Sequence, residues 1–457
     1  MTIKSAIDEF ENHHPMVDVI EKVEDGLLTR HRWLVAMGAI LIQMSLGAIY
    51  AWGVFTGELT DEGGEFGFTA TQTQWIFSVG LASFAAMMLI AGKAVADIGP
   101  RPVAIAGGIL LGTGYGLAGF FGQHFWVQVL CIGVLGGAGI GLAYVVPIAV
   151  GVRWFPDKKG LMTGFAVAGF GFGALLWVQL AGDWGHLIEN YGVLNTFLIY
   201  SVIFGILVHI GGLLMTYPPE GWQPEGWSPP QTQVQQEAAH AFTPRTMLAR
   251  PQFYVLWLSF VFLALAGLML IGINKLYGRD ALIESGAFTD LAAAGAAAST
   301  AYAVAFALSN GLGRIGWGVI ADRIGWRQSM TIMAVTQSIL MIAFYYFGGS
   351  LVALYVFLAL TGFNFGGNFA LFPLATANWF RVKNLGINYG LMFSAYGIGG
   401  IAGPIMAGMF KDSGSGDGLS VWLAPFIIAG TLCLVAGVLV TTAKEPRLEA
   451  IAEPVPA

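Results

Sequence analysis

The chain has 457 residues, 56% of them hydrophobic and only 11% charged. A soluble domain covers itself with about 25% charged residues, so most of this chain must face lipid, and a bilayer is its expected partner. The net charge of −6 is small for the length and excludes nucleic acid as an expected partner.

The 64 glycines fit a membrane protein, in which small residues let helices approach closely. Cys131 and Cys433 lie in apolar runs and read as free buried thiols, with no disulfide, metal or cofactor expected. Met1 to Arg32 is acidic and lacks an apolar core, so it does not read as a signal peptide.

Apolar runs long enough to cross a bilayer predict an all-α polytopic protein. Its helices are expected at 33–57, 73–95, 102–122, 126–150, 161–182, 194–216, 253–275, 293–320, 329–347, 351–376, 386–410 and 420–442. The first carries Tyr50 and Trp52, which read equally as cavity wall and as interfacial packing. The loop after it is acidic, with Glu58, Asp61, Glu62 and Glu65. The second ends near Asp97 and Arg101. The fourth holds Tyr144 one turn before Pro147. In the fifth, Gly169-Phe170-Gly171-Phe172-Gly173 lies mid-helix with no strand before it, which reads as close helix packing rather than a nucleotide loop. His209 in the sixth reads as a core residue.

A Pro-, Gly- and Gln-rich connection follows, of a composition that cannot pack as a core. The expected organisation is a tail at 1–32, a six-helix bundle at 33–216, a linker at 217–250, a second bundle at 251–442 and a tail at 443–457. With both termini inside, seventeen basic residues fall in inner segments and three (Lys275, Arg279, Lys411) in outer ones. Arg314 is the remaining one of 21. That bias orients the chain with cytoplasmic termini in a cell membrane.

Arg314 stands in the eighth helix, about eight residues before Asp322-Arg323. At roughly 1.5 Å per residue it lies close to the middle of a hydrocarbon core about 30 Å thick. A guanidinium there costs at least several kcal/mol unless it meets water, a partner or a ligand. The expectation is an anion site; the alternative is a structural arginine held by a backbone carbonyl. Asn310, Asn364 and Asn368 are amides in apolar helices, equally readable as cavity lining or as helix-to-helix hydrogen bonds.

The two halves match at a constant spacing. Gly92 and Gly318, Gly99 and Gly325, Arg101 and Arg327, Pro147 and Pro373, Gly164 and Gly390, and Gly171 and Gly397 all stand 226 residues apart. Trp154-Phe155 and Trp379-Phe380 are one residue off that register. Such a duplication implies parallel six-helix repeats with a site between them.

Gly318-Val319-Ile320-Ala321-Asp322-Arg323-Ile324-Gly325-Trp326-Arg327 resembles the loop motif of the major facilitator superfamily. The resemblance implies a twelve-helix carrier in which Asp322, Arg323 and Arg327 lock the cytoplasmic side when it faces outward. The first copy departs from the motif: Ala96 holds the acidic position and Asp97 the basic one, ahead of Arg101. Within the superfamily, three stretches are similar to the oxalate/formate antiporter family, with kinship to monocarboxylate transporters. They are Gly47-Ala48-Ile49-Tyr50-Ala51-Trp52-Gly53-Val54-Phe55, Trp154-Phe155-Pro156-Asp157-Lys158-Lys159-Gly160, and the Pro-Pro-x-Gly-Trp run at 218–222. Arg314 matches the arginine that binds substrate carboxylate in both families. Oxalate carriers have a lysine on helix eleven, in a context like Phe393-Ser394-Ala395-Tyr396-Gly397; here Tyr396 replaces it.

One buried cation neutralises one carboxylate, and each unpaired charge in a low-dielectric site costs several kcal/mol. A small monocarboxylate such as lactate, pyruvate or formate is therefore expected, with Tyr396 donating to its second polar group. A dicarboxylate exchanger requires Lys275 or Arg279 to fold inward. No Asp or Glu falls mid-helix, so the expected co-substrate is an exchanged anion, with a proton close behind. A transporter-like sensor and an enzyme are the other classes; neither a signalling domain nor catalytic groups support them. A monomer is expected.

Overall fold

The computed structural model of the protein describes residues 32–61, 64–156, 159–219, 222–224, 226, 242–381, 385–414 and 418–446. The tail before 32, the Gln-rich 227–241 part of the linker and the tail from 447 lie outside these residues. Eleven of the described helices are long and apolar enough to span a membrane, and Lys159–Ala181 supplies the twelfth.

In chain order they are α1 (Arg32–Leu59), α2 (Ala70–Ile98), α3 (Pro100–Phe121), α4 (125–154), α5 (Lys159–Ala181), α6 (Leu187–Leu213), α7 (Pro251–Glu284), α8 (Leu291–Ile324), α9 (Trp326–Phe347), α10 (Leu351–Phe380), α11 (Leu385–Ser413) and α12 (Ser420–Thr442). Twelve spans place Arg32 and the chain beyond Thr442 on one face, here the terminal face. The largest departure from expectation is α7, which continues to Glu284. It carries Lys275, Arg279 and Asp280 within the helix.

Local chemistry sets the helix starts. Thr69 and Gln72 form a reciprocal capping box at α2, while Ser350 and Asp290 cap α10 and α8 with their side chains. These caps satisfy amides that have no partner inside the helix. The loop-motif glycines are structural in both halves: Gly99 and Gly325 take φ of 87° and 86°, open to glycine because it lacks a Cβ. Each then begins the next helix.

The halves meet chiefly along three pairs, α2 with α11, α5 with α8, and α1 with α7. The first two are exchanged by the repeat. Gly47 is required where α1 crosses α5: a Cβ there would sit 2.2 Å from the Phe170 carbonyl oxygen. Around it α1 tightens into a 3-10 turn, Gly47–Ala51, which carries Tyr50 into the seam. Wide π-type turns interrupt α4 at Val129–Gly136 and α8 at Tyr302–Ala307. The second lies just ahead of Asn310 and Arg314; such turns are frequent at functional sites.

Candidate functional site

Arg314 is buried at 5% exposure between the two halves. Its Nε donates to Asn310 Oδ1 at 3.2 Å, one helical turn earlier. The guanidinium lies 4.0 Å from the Phe369 ring centre on α10 and 6.0 Å from that of Phe170 on α5. Its Nη1 is buried without a hydrogen-bond partner, and so is Asn310 Nδ2. Among the described residues Arg314 forms no ion pair. The site is thus a desolvated cation held in place on one side, with two neighbouring donors unused. Cation–π contact offsets part of the desolvation cost, and an anion would satisfy both donors at once.

Aromatic side chains close over this group. Tyr50 and Tyr396 share a 2.6 Å hydroxyl-to-hydroxyl hydrogen bond that joins α1 to α11 across the halves. Tyr50 packs edge-on against Phe170 at 4.8 Å, and its carbonyl accepts from the Tyr302 hydroxyl at 2.8 Å. Tyr144 packs against Phe170 at 5.7 Å and Phe84 at 5.1 Å, on the Arg314 side of the seam. Phe393 stacks on Tyr396 at 4.9 Å and touches Phe84, Tyr144, Phe369 and Tyr389. The arrangement sets a guanidinium and tyrosine hydroxyls behind an aromatic wall, a chemistry that suits a small anion.

Arg314, Asn310, Tyr50, Tyr144 and Tyr396 therefore come together. The other named residues lie elsewhere. Trp52 donates its indole N–H to the Thr73 carbonyl at 3.0 Å and joins α1 to α2. Asn364 donates to Thr336 Oγ1 of α9 at 3.0 Å, one of its two expected roles. Asn368, on the same helix face, is buried with an unpartnered Oδ1. Lys275 pairs with Glu58 at 3.2 Å and Arg279 with Asp280 at 3.1 Å, so neither cation joins Arg314. Of the loop-motif residues, Asp97, Arg101, Asp322 and Arg323 are exposed and form no ion pair among the described residues. Arg327 lies 5.6 Å from the ring centres of both Trp326 and Trp379.

Sequence reading missed Tyr389, whose side chain lies within electrostatic range of Arg314, and the aromatic wall of Phe170, Phe369 and Phe393. A signal existed: Tyr389, Phe393 and Tyr396 are spaced i, i+4, i+7, one face of a helix. It also missed Asp280. This carboxylate is 8% exposed, and it accepts from Lys411 at 2.6 Å and from the Trp422 indole at 3.0 Å.

A duplicated twelve-helix bundle with a charged site at its central seam defines a membrane carrier. The family model of the Major Facilitator Superfamily matches residues 33–303 and 281–456, and the chain belongs to that superfamily of transporters. Among its relatives, the uncharacterized MFS-type transporter YhjX of Escherichia coli (strain K12) is 30% identical over 81% of this chain and 86% of that protein. The oxalate:formate antiporter of Oxalobacter formigenes is 27% identical over 91% and 92%. The apicoplast pyruvate carrier 1 of Toxoplasma gondii is 26% identical over 80% and 82%.

Proposed function

We propose that this protein carries small monocarboxylates across a cell membrane by alternating access, with Arg314 as the anion clamp. The observation that carries this reading is the buried guanidinium with an unpartnered Nη1 beside the unpartnered Asn310 Nδ2. A carboxylate bridging the two donors would satisfy both, and Asn310 Oδ1 would keep the guanidinium turned toward it. Tyr50 and Tyr396 would give up their mutual bond to a second oxygen of the substrate, such as a 2-oxo or 2-hydroxy group. The single cation favours one negative charge, because a second carboxylate would enter the same desolvated space unpaired.

The likeness to a carrier named for pyruvate supports this choice. A second reading, exchange of a dicarboxylate for a monocarboxylate, is favoured by the 27% identity to a protein named oxalate:formate antiporter. No Asp or Glu among the described residues contacts Arg314, so the site offers no carboxylate as a proton carrier. That supports anion exchange or uniport over proton symport. The basic-residue bias supports cytoplasmic termini in a plasma membrane, and the molecule is proposed to work as a monomer of two six-helix domains, 33–216 and 251–442.

The test is uptake of labelled lactate, pyruvate, formate and oxalate into proteoliposomes, empty or preloaded, with wild type beside Arg314→Lys. Monocarboxylate uptake that collapses in the variant is the expected result, and dependence on preloading identifies exchange. Oxalate uptake alone overturns the one-cation argument. Normal transport by the variant makes Arg314 structural.

A further inference from the structure

The face opposite the termini is closed by polar contacts that cross between halves. Helix α2 begins there with four amides that lack intrahelical partners. Its own capping box fills part of that need: Thr69 Oγ1 takes the Gln72 amide and Gln72 Oε1 takes the Thr69 amide at 2.9 Å. The Ala70 and Thr71 amides are left, and Asp412, at the end of α11 in the other half, takes both, at 3.0 and 2.8 Å. A carboxylate at a helix N-terminus also meets the favourable end of the helix dipole. The preceding residue, Lys411, is bonded to the buried Asp280 of α7, which ties the end of α11 into its own half.

In the first half a carboxylate also crosses between the halves, though to a side chain rather than to a helix end. Asp183 follows the end of α5, the repeat partner of α11, and accepts from the Thr300 hydroxyl of α8, the repeat partner of α2. Asp183 and Asp412 stand 229 residues apart against a repeat of 226. On the terminal face Asp97, Arg101, Asp322 and Arg323 are exposed and form no ion pair among the described residues.

We infer that Asp183 and Asp412 form a two-fold-related latch that holds the face opposite the termini shut, each carboxylate reaching from its own half to a helix of the other. The latch rests on the alternating-access reading but on no particular substrate. Opening that face must break both contacts, and the freed amides of Ala70 and Thr71 then turn to water. The carboxylates therefore weight the balance between the two faces, beside the Lys275–Glu58 ion pair that also crosses between the halves.

The test is thiol accessibility in the full-length protein, which needs no substrate and so fails separately from the carboxylate assignment. Ser78 is fully buried on α2, one turn beyond Gln74, whose side chain donates to the Gly272 carbonyl across the seam. Ser78→Cys is close to isosteric, and the parent's two buried native thiols give the background. Labelling of that cysteine by a membrane-impermeant maleimide, added from the face opposite the termini, is compared with and without Asp412→Ala or Asp183→Ala. Removing either contact should shift the balance enough to raise the rate by about threefold to tenfold. A parent-like rate in both variants overturns the latch.

A second arm covers variants that fail to fold. Thr71→Cys with Asp412→Cys, in the Ser78→Cys background, places a disulfide where the carboxylate sat. Read at position 78 by peptide mapping, labelling should fall below the parent on oxidation and rise above it on reduction, when the Asp412 carboxylate is gone and no disulfide replaces it. Oxidised protein labelled at the parent rate overturns the latch as well.

Discussion

The two halves share a scaffold and differ at the site. At the repeat spacing of 226, Arg314 answers to Met88, Asn310 to Phe84 and Tyr396 to Phe170. All six are buried, and all but Met88 take part in the site contacts described above. The first half supplies apolar wall where the second supplies a cation, an amide and a hydroxyl. Duplication thus explains the architecture, and the departures from it explain the chemistry. The charge sits on one half only, so no ion pair joins the halves at this site.

The strongest way to break the comparison is to remove the asymmetry. Arg314→Met makes the second half like the first. Carboxylate uptake in proteoliposomes should fall at least about thirtyfold, the equivalent of ~2 kcal/mol for a lost charge-assisted pair. The ligand-free protein should melt no lower, and higher if the cation–π contact is the weaker effect, because an unpaired buried charge has gone. A variant that transports normally, or that unfolds, would mean Arg314 serves structure.

Tyr396→Lys sharpens the comparison by adding a second cation to the same half. It should raise oxalate uptake relative to formate by about tenfold, one ion pair in a partly screened site, when the two labelled substrates are measured side by side. An unchanged ratio would mean position 396 does not read the far end of the substrate.

Glycine packing contrasts a close approach with an open helix face. A Cβ at Gly366 would lie 2.2 Å from the Asn310 carbonyl oxygen and 3.1 Å from the Arg314 amide nitrogen, while at Gly318 nothing lies within 4 Å. Gly366→Ala should cost about 1–3 kcal/mol in thermal unfolding and should weaken transport by displacing the segment that bears Asn310 and Arg314. Gly318→Ala should leave both readouts near wild type. Equal melting temperatures would show that α8 and α10 adjust freely.

Much of this was legible in the sequence, for reasons that differ by element. Twelve spans stood out because the bilayer sets a minimum apolar length, and Arg314 because a lone charge in such a run is costly. The extent of α7 was not legible. Lys275, Arg279 and Asp280 break the apolar run, yet Asp280 is held by Lys411 and Trp422 from distant helices, partners that spacing alone does not reveal. The three asparagines were equally open. A buried amide satisfies helix packing or a ligand equally well, and only the direction of its face decides. Tyr389 was lost for the opposite reason: in a chain that is 13% aromatic, one more tyrosine carries little information until its helix face is known.

That ambiguity yields the smallest predicted effect. Asn310 and Asn364 are both buried amides of the second half, and their bonds differ in kind. Asn310 accepts from Arg314 Nε, so Asn310→Ala should free the guanidinium to turn. The apparent affinity for a monocarboxylate should weaken by about fivefold, near 1 kcal/mol, with the melting temperature little changed. Asn364 donates to Thr336 on the neighbouring helix, a pair worth about 0.6 kcal/mol in membrane helices. Asn364→Ala should lower the melting temperature slightly and leave affinity alone. Paired uptake and unfolding measurements on the two variants separate the cases. If Asn364→Ala weakens affinity as much as Asn310→Ala, the site extends along α10 toward Asn368.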